Sequence, residues 1–187
     1  MVGIPGAGKS TFSLRFADTF STPLFNLPKL KQEMGLDARQ TAQFLETVMQ
    51  EVTKTGQTIV IEGFTDTVKE RASLEQVFKR LKYTPVFVWV QTDTNESLKR
   101  ATSRRMGDEQ ITEADFDEIV GIFEPPSMKE GAVVISGRHA YPTQLKVVLK
   151  HMASQAVRPK VSASTSGAGR QTRPRARTSQ SSSAQKR

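Results

Sequence analysis

Residues 3–10 read Gly-Ile-Pro-Gly-Ala-Gly-Lys-Ser, and no other stretch of this 187-residue chain restricts its fold as tightly. Glycines at 3, 6 and 8 admit backbone turns that side chains disfavour and let successive N–H groups converge on one point. A helix starting at the Lys-Ser end aims the positive end of its dipole at the same point. The run is a full match to GxxxxGK[ST], the phosphate-binding loop, whose context is strand, loop, helix. The helix is legible in Phe12, Phe16, Ala17 and Phe20, spaced for one buried face. The strand is not, because only Met1 and Val2 precede the loop. The expectation is therefore a first strand largely absent from this sequence, with the chain starting upstream or being a fragment.

Behind the loop, β-branched runs alternate with helical stripes. Residues 22–26 suggest a short strand, and residues 38–55 a helix with Ala42, Leu45, Met49 and Val52 on one side, stopped by Gly56. Thr58-Ile59-Val60-Ile61-Glu62, between Gly56 and Gly63, reads as a buried parallel strand. Leu74, Val77, Phe78 and Leu81 mark the next helix, and residues 86–90 the next strand, with Trp89 as core. Residues 98–106 read as a basic helix; Thr112 and Asp115 announce another by a capping box, with Pro125-Pro126 behind it. Residues 132–136 form a last strand, and Leu145, Val148, Leu149 and Met152 a closing helix. Alternating strands and helices imply an α/β fold with right-handed crossovers onto one parallel sheet.

The chemistry follows from position. Gly3, Pro5, Gly6, Ala7, Gly8, Lys9, Ser10 and Thr11 form the nucleotide-binding set: Lys9 a point charge on the β- and γ-phosphates, the Ser10 hydroxyl a Mg²⁺ ligand, Thr11 facing the α-phosphate. Glu62 ends a strand where ligands gather in open parallel sheets, and reads as a second Mg²⁺ ligand or a base. Arg100 and Arg104, four apart on one helix face, can close over a transferring phosphoryl group. His139 and His151 are isolated and have no metal-ligand spacing; His139, after Ser136-Gly137-Arg138, reads as an exposed loop residue, the alternative being the wall of a base pocket.

Composition narrows the class. A content of 36% hydrophobic and 25% charged residues is that of a globular protein, and no apolar run approaches the ~20 residues of a membrane span. Without cysteine, disulfides and thiolate chemistry are excluded; with no leader in the sequence read, a cytoplasmic address is expected. The formal charge of +8 sits wholly in residues 152–187, which hold eight Lys/Arg and no acid. That Ser/Thr/Ala/Gln-rich stretch cannot offset its ordering entropy, so the expected organisation is a domain over 1–152 and a disordered basic tail over 153–187 that could contact nucleic acid through phosphates.

The Walker loop at 3–10, the Ile-Val-Ile-Glu strand end at 59–62, Arg71 in the next helix, the strand–Asp93–Arg-helix unit at 86–105 and Phe123-Glu124-Pro125-Pro126 together resemble the P-loop kinase group of polynucleotide-kinase-like and zeta-toxin-like proteins, often labelled AAA-type ATP-binding domains. The resemblance covers roughly residues 1–152. It implies a three-layer sandwich with a parallel sheet in the order 2-3-1-4-5, ATP as donor with Mg²⁺, a lid helix carrying Arg100 and Arg104, and a monomer once the first strand is present. The implied function is transfer of the ATP γ-phosphate to a hydroxyl of a nucleic-acid end or small metabolite. Such kinases present an Asp after the second strand as base for the acceptor; the matching residue here is Asn26, which cannot take a proton at neutral pH. Either Asp37, Glu62 or Asp66 substitutes, or phosphoryl transfer proceeds mainly by positioning and charge neutralisation. The alternative is a nucleotide-binding ATPase or regulator without acceptor chemistry, RNA-associated through the tail.

Overall fold

The computed structural model describes residues 1–103 and 111–156. Arg104 and the rest of the basic helix expected to residue 106 lie outside these, as does the basic tail from residue 157 on. Helix α1 (Lys9–Phe20) springs directly from the phosphate loop with Gly8 as N-cap, and buries Phe12, Ser13 and Phe16. Strand β1 (Leu24–Asn26) pairs in parallel with β2 (Val60–Glu62), placing Asn26 opposite Glu62. Strand β3 (Val88–Gln91) pairs in parallel with β4 (Val133–Ser136). The four strands form two separate hydrogen-bonded parallel pairs.

Between the pairs lie residues 1 and 2. Val2 is fully buried and bridges Trp89, its N–H donating to the Val88 carbonyl at 2.8 Å and its carbonyl accepting from the Val90 N–H at 2.9 Å. The Met1 amine donates to the Ile61 carbonyl on the other pair at 2.8 Å. Beside them opens an apolar cavity of about 260 Å³, lined by Ile59, Val60 and Ile61 on one side, Val86 and Val88 on the other, and Phe12 and Phe16 of α1. Burial pushes the Met1 amine down to about 6, against the pull of Glu62. Two residues thus tie the pairs together without filling the space between them.

The helices begin where capping chemistry puts them. Helix α2 (Leu27–Met34), which the sequence reading left unassigned, is capped by the Asn26 side chain accepting from the Lys29 N–H at 3.0 Å, with Pro28 in its first turn. Asn-Leu-Pro is compatible with a turn as well as with a helix start, so the sequence pattern there is silent. Capping boxes start α3 (Ala38–Val52) at Asp37/Gln40, α4 (Val68–Arg80) at Thr67/Glu70 and α6 (Glu113–Ile122) at Thr112/Asp115. Asp93 caps α5 (Thr94–Thr102), so the basic helix starts four residues before the expected Leu98. Helix α7 (Tyr141–Ala156) closes the described chain and passes the expected domain end at 152. One apolar cluster joins Phe12 and Phe16 to Val88, Val90, Ile135 and Val148; a second joins Leu27, Leu45, Met49 and Phe78. Trp89 is half-buried, its neighbours Val88 and Val90 taking the core positions.

Candidate functional site

The phosphate loop is wedged between α5 and the turn after β4. Gly6, at φ +75°, lies so close to α5 that a Cβ would come within 2.0 Å of the Ser97 carbonyl oxygen. Only glycine satisfies both the left-handed backbone and that approach. Buried Ala7 anchors the loop centrally, its carbonyl accepting from Thr92 Oγ1 at 2.8 Å. The Lys9 ammonium folds back over the loop, donating to the carbonyls of Gly3 at 2.5 Å and Ile4 at 3.0 Å. Gly8 and Thr11 face a hollow of about 410 Å³ whose walls also include Arg15, Arg100, Gly137 and His139.

Ser10 and Glu62 meet. Ser10 Oγ donates to Glu62 Oε2 at 2.9 Å, and Asn26 Nδ2 donates to the same oxygen at 3.3 Å. Glu62 is buried, and its other oxygen, Oε1, has no partner among the described residues. An orphaned buried carboxylate oxygen beside a hydroxyl is a donor set for a hard cation, and one carboxylate with one hydroxyl suits Mg²⁺, which takes its remaining ligands from phosphates and water. Asn26 therefore has two jobs: its Oδ1 caps α2, and its Nδ2 orients Glu62.

Arg100 reaches across to the turn after β4, Nη1 donating to the Gly137 carbonyl at 3.2 Å while Nη2 pairs with Glu96. Glu96 also accepts from Arg138 Nε at 2.5 Å, and this bond, more than Arg100, holds its carboxyl below the usual range. Glu96 thus links two guanidiniums at the rim of the hollow. Of the two expected lid arginines the structure places Arg100 there; Arg104 lies outside the described residues.

On the other side of Glu62, residues 63–67 form a tight loop. Gly63 has φ +98°, and a Cβ there would meet Pro28 Cδ at 2.6 Å; Phe64 is held at φ +54°. The loop is pinned by Arg71, of which 1% is exposed. Its Nη1 donates to the carbonyls of Thr65 at 2.8 Å and Glu124 at 2.9 Å, and less closely to Asp66 at 3.3 Å. Its Nε pairs with Glu130 at 2.6 Å, which pulls that carboxyl down to about 2. Glu124 adds two bonds, its N–H to the Asp66 carbonyl at 2.8 Å and its Oε2 accepting the Val68 N–H at 2.6 Å. Sequence reading singled out Arg71 and Glu124 only as parts of a resemblance, and missed Glu130 and Glu96. The i, i+4 spacing of Glu96 and Arg100 and the Ser127/Glu130 capping box were the local signals available.

Comparison with known proteins identifies the family and the fold. The AAA domain family matches residues 1–126. Adenylate kinase of Bacillus pumilus (strain SAFR-032) is 30% identical over 125 residues, covering 57% of this chain and 58% of the kinase. Adenylate kinase of Bacillus licheniformis is 29% identical over the same length. The chain thus spans 58% of the length of these relatives. In fold it resembles a gluconokinase from Sinorhizobium meliloti 1021, with a TM-score of 0.61 at 16% identity over 83% of this chain and 90% of that one. It also resembles Chaetomium thermophilum Kti12, solved with ADP-AlF3, with a TM-score of 0.58 at 12% identity over 81% and 95%. The fold is that of a P-loop kinase-like domain.

Proposed function

Because this chain belongs to the AAA domain family, we propose that it binds ATP with Mg²⁺ and transfers the γ-phosphoryl group to a hydroxyl acceptor. The observation that carries this reading is the Ser10–Glu62 pair at the head of α1, with Glu62 Oε1 buried and unpartnered beside the glycine-rich loop. Backbone N–H groups of residues 6–11 would hold the phosphate oxygens, with Lys9 leaving its loop carbonyls to meet the β- and γ-phosphates. Ser10 and Glu62 would hold the metal ion, which when bound neutralises charge developing on the bridging and terminal oxygens. Arg100 would leave Glu96 and Gly137 to close over the γ-phosphate, with Arg104 as its partner in the lid. The hollow beside Thr11 and His139 suits the nucleoside.

The adenylate kinases and the gluconokinase favour a small hydroxyl or phosphate-bearing metabolite over a nucleic-acid end as acceptor. Asn26 supports a second reading, a nucleotide-binding ATPase, since an amide cannot act as base. Incubation with γ-labelled ATP and Mg²⁺ against small-metabolite, nucleoside and 5′-hydroxyl oligonucleotide panels separates these. A labelled acceptor establishes the kinase and names its class; free phosphate alone establishes the ATPase; no turnover at all removes both.

A further inference from the structure

Phosphoryl transfer to a hydroxyl leaves a proton to be taken up, and Asn26 cannot take it. The carboxylates around the loop after β2 can be accounted for one by one. Glu62 is engaged by Ser10 and Asn26. Asp37, distant in role, accepts from the Gln40 N–H in the capping box of α3. Glu70 accepts from the N–H groups of Asp66 and Thr67, Glu124 from the Val68 N–H, and Glu130 from Arg71. Asp66 is the exception: its backbone is fixed on both sides, while its carboxylate, half-buried, takes no hydrogen bond from any described residue. It sits in the strained loop that follows Glu62, four residues beyond the proposed metal ligand, with the Lys9 ammonium among the charges acting on it.

Resting on the reading above, we propose that Asp66 is the base that accepts the acceptor's proton. As the acceptor oxygen forms its bond to the γ-phosphorus, the bond from phosphorus to the β–γ bridging oxygen breaks and its electron pair leaves on ADP. The hydroxyl proton passes to an oxygen of Asp66. Backbone strain at Phe64 and the Arg71 clamp then have a purpose: they hold a carboxylate without side-chain hydrogen bonds of its own at a fixed place in the loop after Glu62, within the field of Lys9. The charged groups facing it are Lys9 from α1, Glu70 and Arg71 from α4, and the Met1 amine. Burial outweighs the cations among them and raises the Asp66 carboxyl above its ordinary value.

The test compares the full chain with Asp66→Asn, Asp66→Glu and Asp37→Asn, using ATP·Mg²⁺ binding by calorimetry, melting temperature, and turnover from pH 5 to 9. Turnover is read on the first acceptor labelled in the panels, or on water. The expected result is ATP affinity within threefold throughout and a kcat at least 100-fold lower in Asp66→Asn, within the roughly 10²–10⁴ that base catalysis contributes. The acid limb of the wild-type profile should lie above the ordinary carboxylate range and vanish in Asp66→Asn. Asp66→Glu keeps an acid limb at reduced rate, which a purely structural role would not produce, and it decides the matter should Asp66→Asn melt early. Asp37→Asn, still a good cap, turns over as wild type. Wild-type kcat in Asp66→Asn with ATP binding intact overturns this inference alone. Failure of the wild-type chain to bind ATP, or to turn it over, overturns the proposed function along with it.

Discussion

The phosphate loop and the loop after β2 stand on either side of the Ser10–Glu62 pair, yet they are made rigid in opposite ways. The first is held by exclusion: Gly6 admits no side chain because the Ser97 carbonyl occupies the space. The second is held by attraction: one buried guanidinium gathers the Thr65, Asp66 and Glu124 carbonyls and the Glu130 carboxylate. Steric rigidity is indifferent to pH and salt, whereas a clamp built on a buried charge depends on its partner staying ionised. Two loops flanking one buried carboxylate can therefore be tuned independently of each other.

The largest expected effect lies in the clamp. Arg71→Ala leaves Glu130 and three carbonyls without their donor, at a cost of about 3–5 kcal/mol in stability, read by denaturant unfolding. A loss below about 1 kcal/mol would mean the loop is held by Gly63 and Phe64 alone, and the contrast would fail. Lys9→Ala should do the reverse, leaving melting nearly unchanged while raising the barrier to turnover by about 3–4 kcal/mol, a fall in kcat of roughly 10²–10³. Retained turnover would remove the phosphate loop from the chemistry. Gly6→Ala sharpens the steric side: overpacking against α5 should cost about 1–3 kcal/mol, with ATP affinity falling in parallel and no dependence on pH or salt.

Acid reveals the electrostatic side. Glu130 is held at about 2, so the stability it contributes is complete above its ordinary value of 4.5 and is lost as pH falls from there through 2; Glu130→Gln should flatten that part of the stability curve. The smallest effect belongs to Met1. Its amine is lowered from 8.0 to about 6, so the unfolded chain binds the extra proton between those values and stability should rise from pH 6 to 8. Joining five to eight Val, Ile and Leu residues to Met1 should abolish that slope and raise the melting temperature by filling the cavity of about 260 Å³. An unchanged melting temperature would show that β2 and β3 need no strand between them beyond residues 1 and 2.

Features encoded in contiguous residues were read from the chain directly. The phosphate loop, the Thr112/Asp115 box and the strand ending in Glu62 each follow from a pattern a few residues long, and each is found where expected. Helix α2 was missed because Asn26 and Pro28 serve turns and helix starts alike, and what decides between them is Leu27 packing against Met49 and Leu45 in the second cluster. The start of α5 lies four residues before Leu98 because the Asp93 side chain caps it there, and the basic residues Lys99 and Arg100 mark only its last turn.

By itself, then, the amino-acid sequence determined the phosphate cradle and the alternation of strands and helices, since backbone conformation and the periodicity of burial are local properties. It also marked Asn26 as a departure. Tertiary structure alone decided which carboxylates are already engaged, because Glu62 meets Ser10 across 52 positions and Arg71 meets Glu130 across 59. Whether an acid is a cap, a clamp partner, a metal ligand or an unengaged base depends on which donors reach it through space, and donors that far apart in the chain are brought together only when strands and helices pack.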